Sequence, residues 1–207
     1  MVEAQKSNQI TSATTAVLLA AGSGSRFFGN IHKLLTVING KTIFSWAIQN
    51  CLAAQFKQVI VVTGAVDLSA QISEAKFAQA NLIEVHNQDW QTGMASSLQC
   101  GLAEAQRHAA SSVVVGLADQ PAITPSSWQR VANSMSPLAV ATYNGVRGNP
   151  VRIHAELWQL LPTRGDEGAR SLFRSHKDLL EEVECDGSAH DLDTSSDIET
   201  LTKLLTK

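Results

Sequence analysis

The sequence lacks the features of a disulfide-stabilised or membrane-spanning protein. Its 207 residues contain three cysteines, Cys51, Cys100 and Cys185, with wide spacing and no Cys-x-x-Cys pair. This pattern argues against a disulfide framework or a structural zinc site, and it favours a reducing cytoplasm. No apolar run approaches the roughly 20 residues that span a bilayer, so we expect no membrane association. Residues 1–13 are polar and lack the apolar core of a secretory signal, so we interpret them as a flexible lead-in.

The sequence also lacks an excess of positive charge. Sixteen Lys and Arg residues face 19 Asp and Glu residues, for a formal net charge of −3. We therefore expect no nucleic-acid partner, although local donors could still bind a small anion. The six histidines show no metal-ligand spacing, and no Gly-x-Ser-x-Gly segment indicates a hydrolase.

Apolar residues make up 44% of the chain, enough for one α/β domain with a sizeable core. Short apolar runs that predict strands alternate with segments of helical spacing. The predicted strands are 15–20, 58–62, 82–85, 112–117, 138–143, 150–154 and 180–185. The predicted helices are 42–53, 67–77, 94–107, 124–135, 156–161, 167–175 and 196–205, the last capped by Ser195 or Ser196.

This alternation predicts a single-domain, Rossmann-like α/β fold, with a mostly parallel sheet and helices on both faces. Ligands of such sheets bind outside the carboxyl ends of the strands. The residues that follow Ala20, Val62, Val85 and Leu117 are therefore the first place to seek a functional site.

The first strand runs into a glycine-rich turn, Ala-Ala-Gly-Ser-Gly-Ser-Arg, at residues 20–26. Its glycines let a phosphate approach the backbone, while Arg26 and Lys33 supply positive charge. It is neither the dinucleotide fingerprint, which needs glycine in place of Phe27, nor a P-loop. The alternative is an ordinary strand-to-helix turn with a surface arginine and lysine.

Acidic residues follow two other elements. Asp119 comes directly after the buried strand 112–117, where one carboxylate and substrate phosphates could hold Mg²⁺. Asp191 and Asp193 would project to the same side of an extended segment. The alternatives are a turn aspartate at 119 and an acidic helix start at 191–197. The segments at 93–98, 147–151 and 165–170 have default interpretations as a helix cap and glycine turns.

Taken in order, these segments resemble the MobA-like molybdenum cofactor nucleotidyltransferases, most closely the branch that makes molybdopterin cytosine dinucleotide. The resemblance runs from about residue 15 to residue 205. It rests on Leu-Ala-Ala-Gly-x-Gly-x-Arg at 19–26, Lys-Leu-Leu at 33–35, His-Asn-x-x-Trp at 86–90, Gly-Met-x-Ser-Ser-Leu at 93–98, Asp-Gln-Pro at 119–121, Arg-Gly-x-Pro-Val at 147–151, Gly-Ala-Arg at 168–170 and Asp-x-Asp-Thr at 191–194.

The resemblance implies a transferase domain over 14–207 and a role for most motif residues. The nucleotide would be bound by Ala20, Ala21, Gly22, Gly24, Ser25, Arg26, Lys33, Gly93 and Ser97. The catalytic residues would be Arg26, Lys33 and Asp119, and Asp119 would hold Mg²⁺ with Asp191 or Asp193 as a second ligand. The acceptor would contact Arg147, Gly148, Asn149 and Arg170.

The implied reaction transfers CMP from CTP to the terminal phosphate of molybdopterin and releases pyrophosphate; a molybdoenzyme that receives the product is an expected partner. The preference for CTP over GTP follows from Ala21, since guanylyl-transferring relatives tend to carry glycine there. We expect its methyl group to narrow the pocket for the base and to restrict the backbone of the turn.

Two other hypotheses remain open. The protein could use GTP or a different acceptor, such as a sugar phosphate or an isoprenoid precursor. It could also be a non-catalytic nucleotide-binding module that delivers the cofactor. Departures from the family pattern bear on acceptor identity: Asn149 stands where histidine is frequent, and Ser195 and Ser196 replace the usual proline and acidic residue. Phe27 and Phe28 both precede Gly29, where one residue is common.

Overall fold

The computed structural model describes residues 13–24, 31–78 and 81–205. The predicted lead-in therefore lies, apart from Ala13, outside the described residues. Nine strands are present in that part of the chain: β1 (Thr14–Ala20), β2 (Val37–Ile38), β3 (Lys41–Thr42), β4 (Val59–Thr63), β5 (Leu82–His86), β6 (Ser112–Leu117), β7 (Leu138–Tyr143), β8 (Val146–His154) and β9 (Leu180–Glu184).

Six α-helices accompany them in the same described ranges: α1 (Ile43–Ala53), α2 (Ser69–Ala78), α3 (Met94–Arg107), α4 (Pro125–Ala132), α5 (Arg170–Ser175) and α6 (Ser195–Leu204). Short 3-10 helices lie at Lys33–Leu35, Trp90–Thr92, Ala155–Leu160 and Lys177–Leu179. No helix among these described residues is long and apolar enough to cross a membrane.

Seven strands form one sheet in the order β5-β4-β1-β6-β8-β7-β9, and β2 pairs with β3 in a separate hairpin. All neighbours in the large sheet are parallel except β8, which is antiparallel to β6 and β7. The prediction of a mostly parallel α/β sheet is confirmed. The carboxyl ends of β1, β4, β5 and β6 consequently meet at one edge.

The sheet is covered on both faces, as predicted. In β1, Leu18 joins the apolar cluster that includes residues of α1, α2, α4 and α6. The next residue, Leu19, joins the opposite cluster with residues of α3, α5 and the 3-10 helix at Ala155–Leu160. Because β1 is buried on both faces, its sequence is a continuous apolar run and not an alternating one.

Several local predictions were wrong. The strand predicted at 150–154 begins at Val146, because the turn is made by Asn144 and Gly145, both with positive φ. Gly148, Asn149 and Pro150 are poor strand formers, and they are accommodated at a register shift opposite Val140 and Ala141 of β7.

Other differences concern the type and the ends of helices and a short hairpin. The segment predicted as a helix at 156–161 is the 3-10 helix Ala155–Leu160, and α4 ends at Ala132 and not at 135. The β2–β3 hairpin was not predicted at all. Helix α6 begins at Ser195, and its N-cap is Thr194 and not one of the predicted serines. The Asp197 carboxylate accepts hydrogen bonds from the Thr194 backbone N–H (2.7 Å) and from the Thr194 hydroxyl (2.8 Å).

Candidate active site

Three chain segments meet at the carboxyl edge of the sheet. The end of β1, the turn after β6 and the segment before α6 are joined by main-chain hydrogen bonds. The Ala118 N–H donates to the Leu19 carbonyl (2.9 Å), and the Leu192 N–H donates to the Asp119 carbonyl (3.1 Å). These bonds place the residues of all three segments beside one another, and the position of the strand ends predicted this for the first two.

An ion-paired cluster lies at this junction. The Lys33 ammonium is 2.5 Å from Asp119 Oδ2 and 3.4 Å from Asp193 Oδ1. The Lys33 and Asp119 side chains are only 15% and 17% exposed, so solvent weakens their attraction little. Burial alone would lower the pKa of Lys33, but the Asp119 and Asp193 carboxylates outweigh it and raise that pKa. Lys33 therefore stays protonated between the two carboxylates.

Asp191 belongs to the same cluster through a different partner. The side-chain amide of Gln120 donates to Asp191 Oδ1 and to the Ala189 carbonyl (3.0 Å). Burial raises the pKa of Asp191, and the nearby negative charge of Asp119 raises it further, while the Gln120 hydrogen bond opposes the rise. The two candidate acidic residues before α6 thus have different surroundings, since Asp193 contacts Lys33 and Asp191 contacts Gln120.

The donor set suits a divalent cation that one or two carboxylates bind and that substrate phosphates coordinate further. Across residues 13–24, 31–78 and 81–205, no group of three or more His, Cys, Asp or Glu side chains is arranged to hold a metal ion by itself. The cluster nevertheless sets three carboxylates against one ammonium group. Mg²⁺ commonly binds through one or two carboxylates plus substrate phosphates, and not in an all-protein cage. Asp119 with Asp191 or Asp193 fits that description.

His32, which sequence reasoning missed, braces the glycine turn. Its Nδ1 accepts from the Leu34 N–H (3.2 Å), so its Nε2 carries the proton and donates to the Gly22 carbonyl (3.0 Å). Burial lowers the pKa of His32, which favours this neutral form. Gly24 has φ +62°, and a Cβ there would lie 3.1 Å from His32 and Lys33 atoms. Only its position beside Lys33 could have drawn attention to His32.

Two predicted residues of this loop, Ser25 and Arg26, lie outside the described residues. Ala20 and Ala21 are described and are buried, with 2% and 3% exposure. A Cβ on Gly64 would lie 2.8 Å from the Ala21 Cβ, which shows that the Ala21 methyl group packs into the protein. That this methyl group narrows a nucleotide pocket stays a prediction. Its effect on the backbone of the turn stays a prediction.

Gly93 is held by another loop. It has φ +109°, and a Cβ there would come within 2.6 Å of the Gly165 carbonyl. The first turn of α3 is satisfied by the same loop, since the Met94 N–H donates to Asp166 Oδ1 (3.0 Å) and the Ala95 N–H donates to the Gly165 carbonyl (2.9 Å). Gly93 thus has a packing reason to be glycine, and contact with a nucleotide stays a prediction.

Ser97 has a similar structural role. Its side chain is buried, and its hydroxyl accepts a hydrogen bond from the Asn87 amide (3.0 Å), which also donates to Ser96 (2.9 Å). Asn87 follows β5, so these bonds tie α3 to the edge where the strands end. Contact between Ser97 and a base or ribose likewise stays a prediction.

A cavity of about 670 Å³ opens beside Asp191. All four predicted acceptor residues line it: Arg147, Gly148, Asn149 and Arg170. The Arg147 guanidinium is paired with Glu182, with Nη2 at 2.5 Å from Oε1. The structure therefore brings the predicted acceptor residues together and places them next to the carboxylate cluster. Apolar side chains of Val140, Val151 and Phe173 complete parts of the wall.

The mostly parallel α/β sheet with helices on both faces is the fold of the nucleotidyltransferases. The sequence profile of the MobA-like NTP transferase domain matches residues 16–179. The chain belongs to that family.

Individual relatives agree with this assignment. The chain is 25% identical to the purine catabolism protein PucB of Bacillus subtilis over 198 residues, which cover 91% of this chain and 96% of PucB. A solved structure of Rv0371c from Mycobacterium tuberculosis is 26% identical, with a TM-score of 0.74 over 92% of this chain and 97% of that one. A nucleotidyl transferase from Methanothermobacter thermautotroptrophicus shares the fold at 23% identity, with a TM-score of 0.77 over 93% and 98% of the two chains.

Proposed function

We propose that the protein is a Mg²⁺-dependent cytidylyltransferase of the cytoplasm. In this proposal it transfers CMP from CTP to the terminal phosphate of molybdopterin and releases pyrophosphate, and residues 14–207 form the transferase domain. The observation that carries the proposal is the cluster of Lys33, Asp119, Asp191 and Asp193 beside the glycine turn. The three free cysteines agree with a reducing compartment.

In this reaction the acceptor's phosphate attacks the α-phosphorus of the nucleotide, and the bond to the leaving pyrophosphate breaks. A phosphate monoester has its second pKa at about 6, so the nucleophile is already largely dianionic at neutral pH and needs no general base. The barrier arises from bringing anions together, and it falls through positioning and charge neutralisation. Lys33 and Arg26 would supply positive charge, and Asp119 would hold the metal with Asp191 or Asp193.

The other predicted residues have binding roles. We assign the nucleotide to the turn after β1 and the start of α3, with Ala20, Ala21, Gly22, Gly24, Ser25, Gly93 and Ser97. The metal, when bound, would neutralise phosphate charge during transfer. Lys33 must leave at least part of its pairing with Asp119 to reach a phosphate, which its four-carbon stem allows.

The cavity beside Asp191 supports the acceptor side of the proposal. At about 670 Å³ it lies in the size range of small-molecule sites, and its wall combines apolar side chains with Arg147, Asn149 and Arg170. Such a wall suits a ring system that ends in a phosphate. The choice of molybdopterin and of a recipient molybdoenzyme rests on the family resemblance.

Pyrophosphate release tests the proposal. Purified protein is incubated with Mg²⁺, molybdenum-loaded molybdopterin and each nucleoside triphosphate in turn. We expect release with CTP and a lower kcat/KM with GTP. Equal or better use of GTP would contradict the preference for CTP but not the proposed nucleotidyl transfer. Nucleotide binding without release under any condition would favour the non-catalytic delivery module.

A different acceptor is the second candidate. The 4-diphosphocytidyl-2C-methyl-D-erythritol synthase of Anaerococcus prevotii shares the fold, with a TM-score of 0.74 over 94% of this chain at 14% identity. The bifunctional protein GlmU of Sorangium cellulosum is 25% identical over 135 residues, which cover 62% of this chain but only 28% of GlmU. Isoprenoid-precursor and sugar phosphates therefore belong in the same assay, and turnover with one of them but not with molybdopterin would replace the proposed acceptor.

A further inference from the structure

Gln120 joins the acidic cluster to the acceptor cavity. Its amide nitrogen donates to Asp191 Oδ1 and to the Ala189 carbonyl (3.0 Å), and its amide oxygen accepts from the Asn149 side chain (2.9 Å). The Asn149 carbonyl in turn accepts from the Tyr143 hydroxyl (2.7 Å). Gln120 is only 6% exposed, so these bonds form away from bulk solvent.

The orientation of this amide is fixed by its partners. Both acceptors of Nε2, a carboxylate and a carbonyl, offer no proton, so exchanging the amide oxygen and nitrogen would set oxygen against oxygen twice. The same exchange would set the Asn149 NH₂ group against another NH₂ group. Gln120 therefore donates to Asp191 Oδ1 through its amide nitrogen, while its amide oxygen accepts from Asn149 of β8.

We propose that Gln120 is the positioning residue that orients the Asp191 carboxylate for the metal and links it to the acceptor wall at Asn149. The inference deepens the proposed function and rests on it. Carboxylates that bind metals are themselves held by hydrogen bonds, and loss of these outer partners weakens metal binding. Gln120 is the residue next to Asp119. The turn after β6 would therefore carry one carboxylate for the metal, Asp119, and position the second, Asp191.

This proposal selects Asp191 over Asp193 as the second metal ligand. Asp193 is 41% exposed and takes part in the Lys33 ion pair. Asp191 lines the acceptor cavity and accepts the Gln120 hydrogen bond through Oδ1. Its Oδ2 accepts none from the residues that the structure describes. Asp191 thus stands between the metal position and the acceptor, where a carboxylate can serve both.

The test measures metal binding with Mn²⁺ alone as the probe, by electron paramagnetic resonance of the free ion, on the full chain without nucleotide. Gln120→Met removes all three hydrogen bonds and keeps an unbranched side chain of similar length. Asn50→Ala is the matched control, because the Asn50 amide donates to the Pro121 carbonyl (2.9 Å) in the same segment but outside the cluster. Thermal unfolding of both variants separates lost stability from lost positioning.

We expect Gln120→Met to raise the Kd for Mn²⁺ by roughly 10- to 100-fold, and Asn50→Ala to leave it unchanged. In an Asp191→Asn background, Gln120→Met should have no further effect, because the carboxylate that it positions is gone. Wild-type affinity in Gln120→Met, an undiminished effect in the Asp191→Asn background, or no Mn²⁺ binding by the wild-type protein would each overturn the inference.

The proposed function can fail separately. A wild-type protein that binds Mn²⁺ in a Gln120-dependent way but releases no pyrophosphate overturns the proposed reaction and keeps the positioning role. A wild-type protein that transfers CMP, with a Gln120→Met variant that binds Mn²⁺ normally, overturns the positioning role and keeps the reaction.

Discussion

At the scale of single residues, the site is organised by the positively charged side chain of Lys33. The Lys33 ammonium lies where it compensates Asp119 and Asp193, and without it their negative charges would repel each other at close range. In the proposed function, a metal–nucleotide complex would bring its own positive and negative charges to the same place. In the proposed reaction, Lys33 and the metal would therefore compete for the carboxylates until a phosphate gives Lys33 a new partner.

Asp119→Asn should abolish most of the activity without unfolding the protein. The variant keeps the shape of the side chain but removes the charge that would bind the metal, and we expect turnover at saturating Mg²⁺ to fall by at least about 100-fold, as for loss of a central electrostatic group. Pyrophosphate release measures the loss, and circular dichroism checks the fold. Near wild-type turnover would remove Asp119 from the metal site.

Lys33→Met should have two opposite effects. Turnover should fall, because one charge-assisted contact to phosphate, worth roughly 1.5–3 kcal/mol, is lost. Mn²⁺ affinity of the nucleotide-free protein should rise, because the competing ammonium group is gone while all three carboxylates remain. Steady-state kinetics and Mn²⁺ titration measure the two effects. Unchanged kinetics would make Lys33 a surface lysine, and weaker Mn²⁺ binding would show that it supports the carboxylates and does not compete.

At the scale of elements, the site depends on how closely α3 approaches the sheet. A Cβ on Gly101 of α3 would lie 2.6 Å from Val17 Cγ1 of β1 and 3.3 Å from Val62 Cγ2 of β4. Glycine in the middle of a helix is unfavourable for the helix itself, so close packing against the sheet explains its presence. Gly93 and Ser97 lie at the start of the same helix. The distance between α3 and the sheet therefore determines where these two residues lie relative to the strand ends.

Gly101→Ala should destabilise the protein. Overpacking a close-packed core by a methyl group destabilises by about 1–3 kcal/mol, while alanine's better helix propensity offsets up to about 1 kcal/mol. We expect a net loss of about 1–2 kcal/mol in the free energy of unfolding, measured by urea titration with tryptophan fluorescence.

Val17→Ala provides the check on this cause, since it removes the atom that the new methyl group would strike. The double variant should lose less stability than the sum of the single variants. Additive losses would show that the contact between α3 and β1 relaxes freely.

At the scale of the whole molecule, we expect the acidic cluster to couple ligand binding to stability. CTP with Mg²⁺ should stabilise the protein more than either alone, because each compensates a charge that the other leaves unbalanced. A ligand at 100 times its Kd adds about 2.7 kcal/mol, or roughly 5–10 °C in Tm for a chain of this size. Thermal unfolding with and without EDTA measures the effect. Equal shifts with CTP alone and with CTP and Mg²⁺ would contradict the metal role.

The sequence by itself determined the architecture to a large extent. Apolar runs and helical spacing are local signals, so they predicted the strands of the parallel half and α1 to α4 within a few residues. The same signals placed Asp119 at the end of β6, because a buried strand must end where a polar residue and a proline follow. They failed at β8, where strand pairing overrides the poor strand propensity of Gly148, Asn149 and Pro150.

Only the tertiary structure decided which of these residues meet. Lys33 and Asp119 are 86 positions apart, and Gln120 and Asp191 are 71 apart. Such pairs depend on the order of strands in the sheet and on the path of the segment before α6, neither of which leaves a local periodic signal. Burial is likewise a property of the assembled core, which is why only the structure shows that the Ala21 methyl group lies against Gly64.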